Sequence, residues 1–244
     1  MKNFYISLLV SNLLFGYYGK VEPYQTYNIK SDVSGKVVDV NKSVEGKNFD
    51  GIVIKIDDYQ NRVDLQNLET QLQNLEIIKL SQEEILKRKK RNYEIYKTLK
   101  TKSQFDKDNK FFDYQNSLIV LNQTKNNISN LKTQILKLKD TINKKTISFR
   151  NYIYQIKVNK GDFVNFATPL ATIMDIKKVK IEIFIPIDKI DTIKNKKIYI
   201  NDKLSNFKIS KIYKIADEKY ITSYKVEIIG KYPKISDIVK VEFK

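Results

Sequence analysis

Apolar residues along the chain change their spacing twice, from alternation to a three-and-four repeat and back. Between Tyr27 and Asp58, β-branched residues alternate along Val37–Val40 and Ile52–Ile56; between Thr146 and Asp175 they do so along Tyr152–Val158 and Leu170–Ile173. Alternation of this kind predicts half-buried strands. Residues 59–145, which separate the two segments, contain no Gly or Pro. They carry a heptad-like stripe: Leu65, Leu68, Leu72 and Leu75, more loosely Ile78, Leu86, Tyr93 and Tyr96, then Tyr114, Leu121, Ile128, Leu131, Ile135, Leu138 and Ile142. A single helix of that length is unusual, and the polar run Lys100–Lys110 interrupts the stripe. The chain is therefore expected to fold back at about 100–110 into an antiparallel helical hairpin, with arms of about forty residues projecting on the order of 60 Å. Both ends of the hairpin return to one base.

That base repeats one plan. Gly35, Gly46 and Gly51 punctuate the first β-segment; in the second a turn is expected at Arg150–Asn151, a Lys-Gly-Asp turn at Lys160–Asp162, and Pro169 ahead of a strand. Asn151 stands where the first copy has Gly35, and Asn tolerates a left-handed backbone better than most residues. Gly161 and the three glycines of the first segment sit at turns, where steric relief is needed. After residue 176 five strand-like runs recur, Val179–Ile185, Lys197–Ile200, Phe207–Ile215, Tyr224–Ile229 and Ile238–Phe243. Their spacing of about ten residues predicts a small antiparallel barrel or sandwich.

These residues resemble a known family. Lys160-Gly161-Asp162-Phe163-Val164, Thr168-Pro169-Leu170, Ile173, Asp175 and Val179–Pro186, with Ser34-Gly35-Lys36-Val37 and Glu45-Gly46 before the hairpin, are similar to the split biotinyl/lipoyl-like halves and barrel entry of periplasmic adaptor subunits, the HlyD-type membrane-fusion proteins. Gly51 comes one residue earlier than the family spacing, and Ala167 replaces a usual Gly. The resemblance implies an elongated α+β adaptor: a split lipoyl-like domain at 27–58 and 146–175, a coiled-coil hairpin at 59–145 and a β-barrel at 176–244. The membrane-proximal domain of larger members is not expected here. The implied partners are an inner-membrane transporter, ABC-type or proton-driven, an outer-membrane efflux channel at the hairpin tip, and further copies of the chain in a ring. The family's tip motif maps onto Arg91 and Ile95, with Lys102 at the place of its Ser and Ser103 one residue late; Phe105 near the bend either packs between tips or caps the seam.

The N-terminus bears on compartment. Lys2 followed by the largely apolar Phe4–Tyr18 reads as a secretory signal with Gly16 or Gly19 near its end, giving residues 1–19 as a leader or an uncleaved anchor; a buried strand or helix is the alternative. The expected location is the periplasm, in association with the inner membrane.

Charge and composition exclude other classes. The formal charge is +17, but residues 59–145 carry 18 basic and 10 acidic side chains and residues 176–244 carry 17 and 9, so each contributes +8 and neither forms a concentrated nucleic-acid surface. The run Lys87-Arg88-Lys89-Lys90-Arg91 reads as a solvated helix face; the alternative is a surface that meets acidic groups on a partner or on lipid. With no His and no Cys, the commonest general base, the thiol nucleophile and the usual zinc ligands are missing, and no cofactor or enzymatic chemistry is expected. Asp57-Asp58 reads as a strand-to-helix junction. A lipoyl-type carrier lysine would occupy a tight hairpin between the halves, where this chain inserts its helices. A structural coiled-coil protein of the cell envelope, without a transporter, is the competing function.

Overall fold

The computed structural model describes residues 16–216 and 218–244. The leader or anchor expected at 1–19 falls mostly outside the described residues. Its last positions do not, because Tyr17–Gly19 open β1 (Tyr17–Lys30).

Strand β1 overlaps the expected leader only at Tyr17–Gly19, where the alternative of a buried strand holds, and it organises the molecule. Its first residues pair with β11 (Ile238–Phe243) and the remainder with β6 (Pro169–Pro186), from Val21↔Ile181 to Lys30↔Pro169. Strand β6 likewise continues unbroken from the lipoyl-like module into the second β-module. At Gly19 the two strands come so close that an added Cβ would lie 2.4 Å from Ile181 Cγ2.

The lipoyl-like module comprises β2 (Gly35–Val40), β3 (Lys47–Ile56), β4 (Thr146–Ile156), β5 (Phe163–Val164) and the adjacent parts of β1 and β6. The ladder runs β5-β2-β3-β4-β6-β1, so the two half-motifs interlock through β3–β4 and β2–β5 pairs. Inward alternation buries Val37, Ile54, Ile56, Ile153, Ile156 and Leu170 in one core. Gly46 (φ 73°) and Gly161 (φ 98°) lie in the left-handed region at its turns. Asn151 does not. It sits inside β4 opposite Phe49, and its neighbour Arg150 faces Asp50 with Nε 2.9 Å from Oδ2. The expected turn at Arg150–Asn151 is therefore a continuous strand, held by a cross-strand ion pair and a full ladder. The position that bends is Ala167, at φ 65°, where its amide donates to Ser31 O at 2.8 Å.

The second module contains α3 (Ile190–Ile193), β7 (Ile198–Ile200), β8 (Lys203–Leu204), β9 (Lys208–Ala216), β10 (Ser223–Gly230) and β11. Its core gathers Val21, Ile181, Ile183, Ile185, Val226, Ile228, Val239 and Val241. Strand β10 joins β6 to β9, while β7 joins β11 to β8. The expected barrel is not closed by hydrogen bonds, because β8 and β9 do not pair. They follow one another through a corner at 205–207, where Ser205 Oγ donates to Ile198 O at 2.7 Å and Phe207 is buried against Gly230. A chain turning that sharply has no straight backbone to offer a ladder.

The hairpin leaves and re-enters the lipoyl-like module between β3 and β4. Helix α1 (Tyr59–Thr98) runs out and α2 (Gln104–Lys144) returns. At its root Ile56 N donates to Lys145 O at 2.8 Å, and Lys145 Nζ donates to Asp57 O and Asn61 Oδ1, both at 2.6 Å. The junction role of Asp57-Asp58 is divided: Asp57 Oδ1 accepts the Tyr59 N–H, while Asp58 pairs with Arg62 at 2.6 Å, which holds its carboxyl below the usual range. The α2 stripe packs as the spacing predicts, with Leu121, Ile128, Ile135 and Ile142 buried. On α1 the stripe departs at Ile78, which is 45% exposed, and passes instead through Lys79 and Gln82. Steps of four, three and four residues from Leu75 reach Lys79, Gln82 and Leu86, so helical geometry carries the seam through polar side chains whatever the residue at 78.

Ala167 gives a direct test of backbone strain. A left-handed conformation costs a residue with a Cβ about 1–2 kcal/mol, offset by the greater unfolded-chain entropy of Gly. Ala167→Gly is expected to stabilise the protein by about 0.5–1 kcal/mol, seen as a higher urea midpoint at unchanged m-value.

The second module contains an acid-sensitive contact. Glu242 is 1% exposed and lies 2.7 Å from both Lys240 Nζ and Lys244 Nζ. Hydrogen bonds from these ammonium groups pull its carboxyl down to about 2. A depressed carboxylate stabilises the fold above its unfolded pKa, and that contribution disappears as pH falls through the folded value. Urea midpoints measured from about pH 5 to about pH 2 should therefore fall more steeply for the native protein than for Glu242→Gln.

Candidate functional site at the hairpin tip

Near the bend the aliphatic seam gives way to aromatic rings. Tyr93 stacks on Tyr114 with centroids 6.2 Å apart and leans on Phe111 at 5.3 Å, closing the last turns of the two helices. Tyr96, one turn further out, lies between two ammonium groups: Lys102 Nζ is 5.3 Å from its centroid and Lys110 Nζ 5.5 Å. Because Lys102 belongs to the connection and Lys110 to α2, this pair of cation–π contacts ties both to α1. Lys89 and Lys110 also share Asp113, at 3.2 and 3.7 Å.

The connection is short. α1 ends at Thr98 and α2 begins at Gln104, so most of the polar stretch expected to form the bend is already helical. Ser103 is the reason. Its Oγ accepts the Asp106 N–H at 3.1 Å and donates to Asp106 Oδ2 at 2.8 Å, an N-cap that starts the helix there. The Ser-Gln-Phe-Asp spacing was legible in the sequence; reading Ser103 as a partner contact obscured it.

Arg91 and Ile95, four residues apart, share one outward face of α1, where Ile95 is 49% exposed. Phe105 projects from the first turn of α2 with 73% exposure. The tip thus presents Arg91, Ile95 and Phe105 to solvent, whereas Ser103 is committed to its cap and Lys102 to Tyr96. Sequence reasoning missed Phe112, which is 59% exposed and lies one heptad beyond Phe105 on the same side of α2. The Phe111-Phe112 pair was the available signal, since only one of two adjacent helical residues can face a seam. Among the turn positions named from sequence, Gly35 and Gly51 lie in β2 and β3 and Pro169 opens β6 opposite Lys30.

No group of three or more metal-ligating side chains occurs among the described residues, and no described helix is long and apolar enough to cross a membrane. No protein-family model and no curated protein matches the chain. Solved structures do. MacA from Actinobacillus actinomycetemcomitans superposes with a TM-score of 0.76 at 15% identity, over 94% of this chain and 78% of that one. The chain has a membrane fusion protein fold. The membrane fusion protein Spr0693 from Streptococcus pneumoniae R6 gives 0.65 at 11% identity, over 94% and 98% of the two chains. A MacA-MexA chimera carrying the Pseudomonas aeruginosa MexA α-hairpin domain gives 0.54 at 17% identity, over 94% and 78%. The membrane fusion fold covers the hairpin and both β-modules, so the tip lies at the far end of a complete arm.

The Ser103 N-cap is separable from any docking role. Ser103→Ala should cost about 1 kcal/mol of local stability, read as faster amide hydrogen exchange at Asp106 and Lys107. Ser103→Asp, which keeps an acceptor, should restore protection.

Proposed function

We propose that the chain is a periplasmic adaptor that bridges an inner-membrane transporter and an outer-membrane channel. The observation that carries this reading is a stapled hairpin of two helices, 40 and 41 residues long, whose tip exposes Ile95 and Phe105 among cations while its root is locked into a β-body. Such an arm positions a contact surface far from its base. The mechanism is assembly rather than bond chemistry: copies form a ring through their lipoyl-like modules, the hairpin tips meet the channel, and the second β-module faces the transporter, whether ATP- or proton-driven. The segment that precedes β1 holds the chain at the inner membrane or directs its export, while Tyr17–Gly19 belong to the β-body. Arg91 supplies the charge and Ile95 and Phe105 the apolar contact at the tip.

Export assays on tip variants test this reading. Arg91→Glu or Ile95→Asp should abolish transport while circular dichroism remains unchanged, since both side chains point to solvent; full transport in both variants would sink the tip assignment. A photoreactive residue at position 105, which leaves the Ser103 cap intact, should capture an outer-membrane channel in cells. Capture of the chain's own copies alone, with export to the periplasm confirmed, would favour a structural envelope protein instead.

A further inference from the structure

The two β-modules meet at a defect in their shared ladder. Strands β1 and β6 pair at Pro23↔Val179 and again at Gln25↔Asp175, so β6 spends two more residues than β1 across the same interval. Pro23 has no N–H to offer a ladder there. The extra backbone bows away and leaves a cleft of about 840 Å³, within the range of about 300–1,000 Å³ typical of small-molecule sites.

The walls of this cleft are chemically distinct from the Lys-rich surface around them. Tyr152 and Tyr154 of β4 share one face of the sheet with Met174 and Ile176 of β6, and Tyr24 stands opposite on β1. Tyr154 is 58% exposed and Tyr24 40%, which leaves aromatic faces open to a ligand. From the second module, Pro233, Ile235 and Ser236 close the far side. Ser236 is held at φ 75°, a conformation costly for a residue other than Gly, and its amide donates to Val21 O at 2.8 Å. Strain kept at a cavity wall is a common mark of a functional site.

Charge sets the ligand class. Three ionised side chains line the cleft: Lys20, Glu22 and Lys180. Lys180 lies 3.7 Å from Glu22 and 3.1 Å from Glu182. Lys20 has no ion-pair partner among the described residues, so the cleft offers one unpaired cation beside a cluster of tyrosine rings. We propose that the module junction is a binding site for a small amphipathic anion, a molecule with a flat apolar body and one acidic group. Tyr24 and Tyr154 stack on the body, Lys20 meets the acid, and the ligand touches both modules at once.

Fluorescence titration of the full-length protein tests this with two probes of matched shape: 1-anilinonaphthalene-8-sulfonate, which carries one acidic group, and neutral N-phenyl-1-naphthylamine. The protein contains no tryptophan, so probe emission is free of indole background. The sulfonate should bind at one saturable site. Lys20→Glu should weaken it at least about tenfold and leave the neutral probe within about twofold, while Tyr154→Ser should weaken both by about tenfold. Phe105→Ser, at the distant hairpin tip, should change neither. Both junction positions are exposed, and Lys20→Glu removes no packing, so a fold defect in the tyrosine variant would leave the charge test standing. Absence of saturable binding, indifference of the sulfonate to Lys20→Glu, or loss of binding on Phe105→Ser would overturn the assignment.

Discussion

The long antiparallel ladder between β1 and β6 is the constraint on which the other elements depend. The two strands are separated by the entire hairpin and both lipoyl-like half-motifs, yet they pair from Val21↔Ile181 to Lys30↔Pro169. One end of this ladder supplies Val21, Val179 and Ile181 to the core of the second module; the other meets the core of the first, where Leu170 and Ala171 lie. A shift of one residue would turn every inward side chain of β6 to the surface in both modules. The hairpin has its orientation through the same frame. Its root is stapled to β3 and β4, and β4 is fixed against β6 by Ile153↔Ile173 and Ile156↔Ala171. The arm is therefore referred to the second module through hydrogen-bonded backbone.

Much of this architecture was legible in the changes of spacing, because helices and strands leave different periods wherever one face is buried. The α2 stripe and the alternation in β3 and β4 needed no tertiary knowledge. Strand β1 was another matter. It starts within an apolar stretch that reads as a leader, contains Pro23, and finds its partners about 150 and about 220 residues downstream. Local pattern says nothing about such a pairing. The Asn151 reading failed for a related reason: homology between the halves suggested a turn, but the Arg150–Asp50 pair and the opposing β3 ladder impose an extended backbone. Ala167, noted only as a departure from a family glycine, proved to be where the left-handed turn is paid for.

The candidate tip was partly legible. Arg91 and Ile95 could be placed on one helical face by spacing alone. The division of labour among Lys102, Ser103 and Phe105 could not, because it depends on where the connection ends. Once Ser103 and Asp106 cap α2, Ser103 loses its freedom and Phe105 is lifted onto the outer surface. Lys102 then falls over Tyr96. The basic character of this region has a structural component as well: at least part of the lysine content holds rings together in the absence of an aliphatic seam.

The hairpin is uneven along its length, and that bears on how it would bend. Leucine and isoleucine fill the seam near the root, aromatic and cation–π contacts close it near the tip, and between them lie Lys79 and Gln82 on α1, with Lys79 beside Lys125 and Ile128 of α2. Gln82 Oε1 is buried without a hydrogen-bond partner, and an unsatisfied buried acceptor costs on the order of 1–3 kcal/mol. Opening the helices there lets water reach the amide, which offsets part of the burial lost by Leu121 and Ile128 on either side. Above and below it the seam resists opening. Bending would thus concentrate in a short polar layer partway along the arm, so that the tip moves as a unit while the root stays fixed to the sheet.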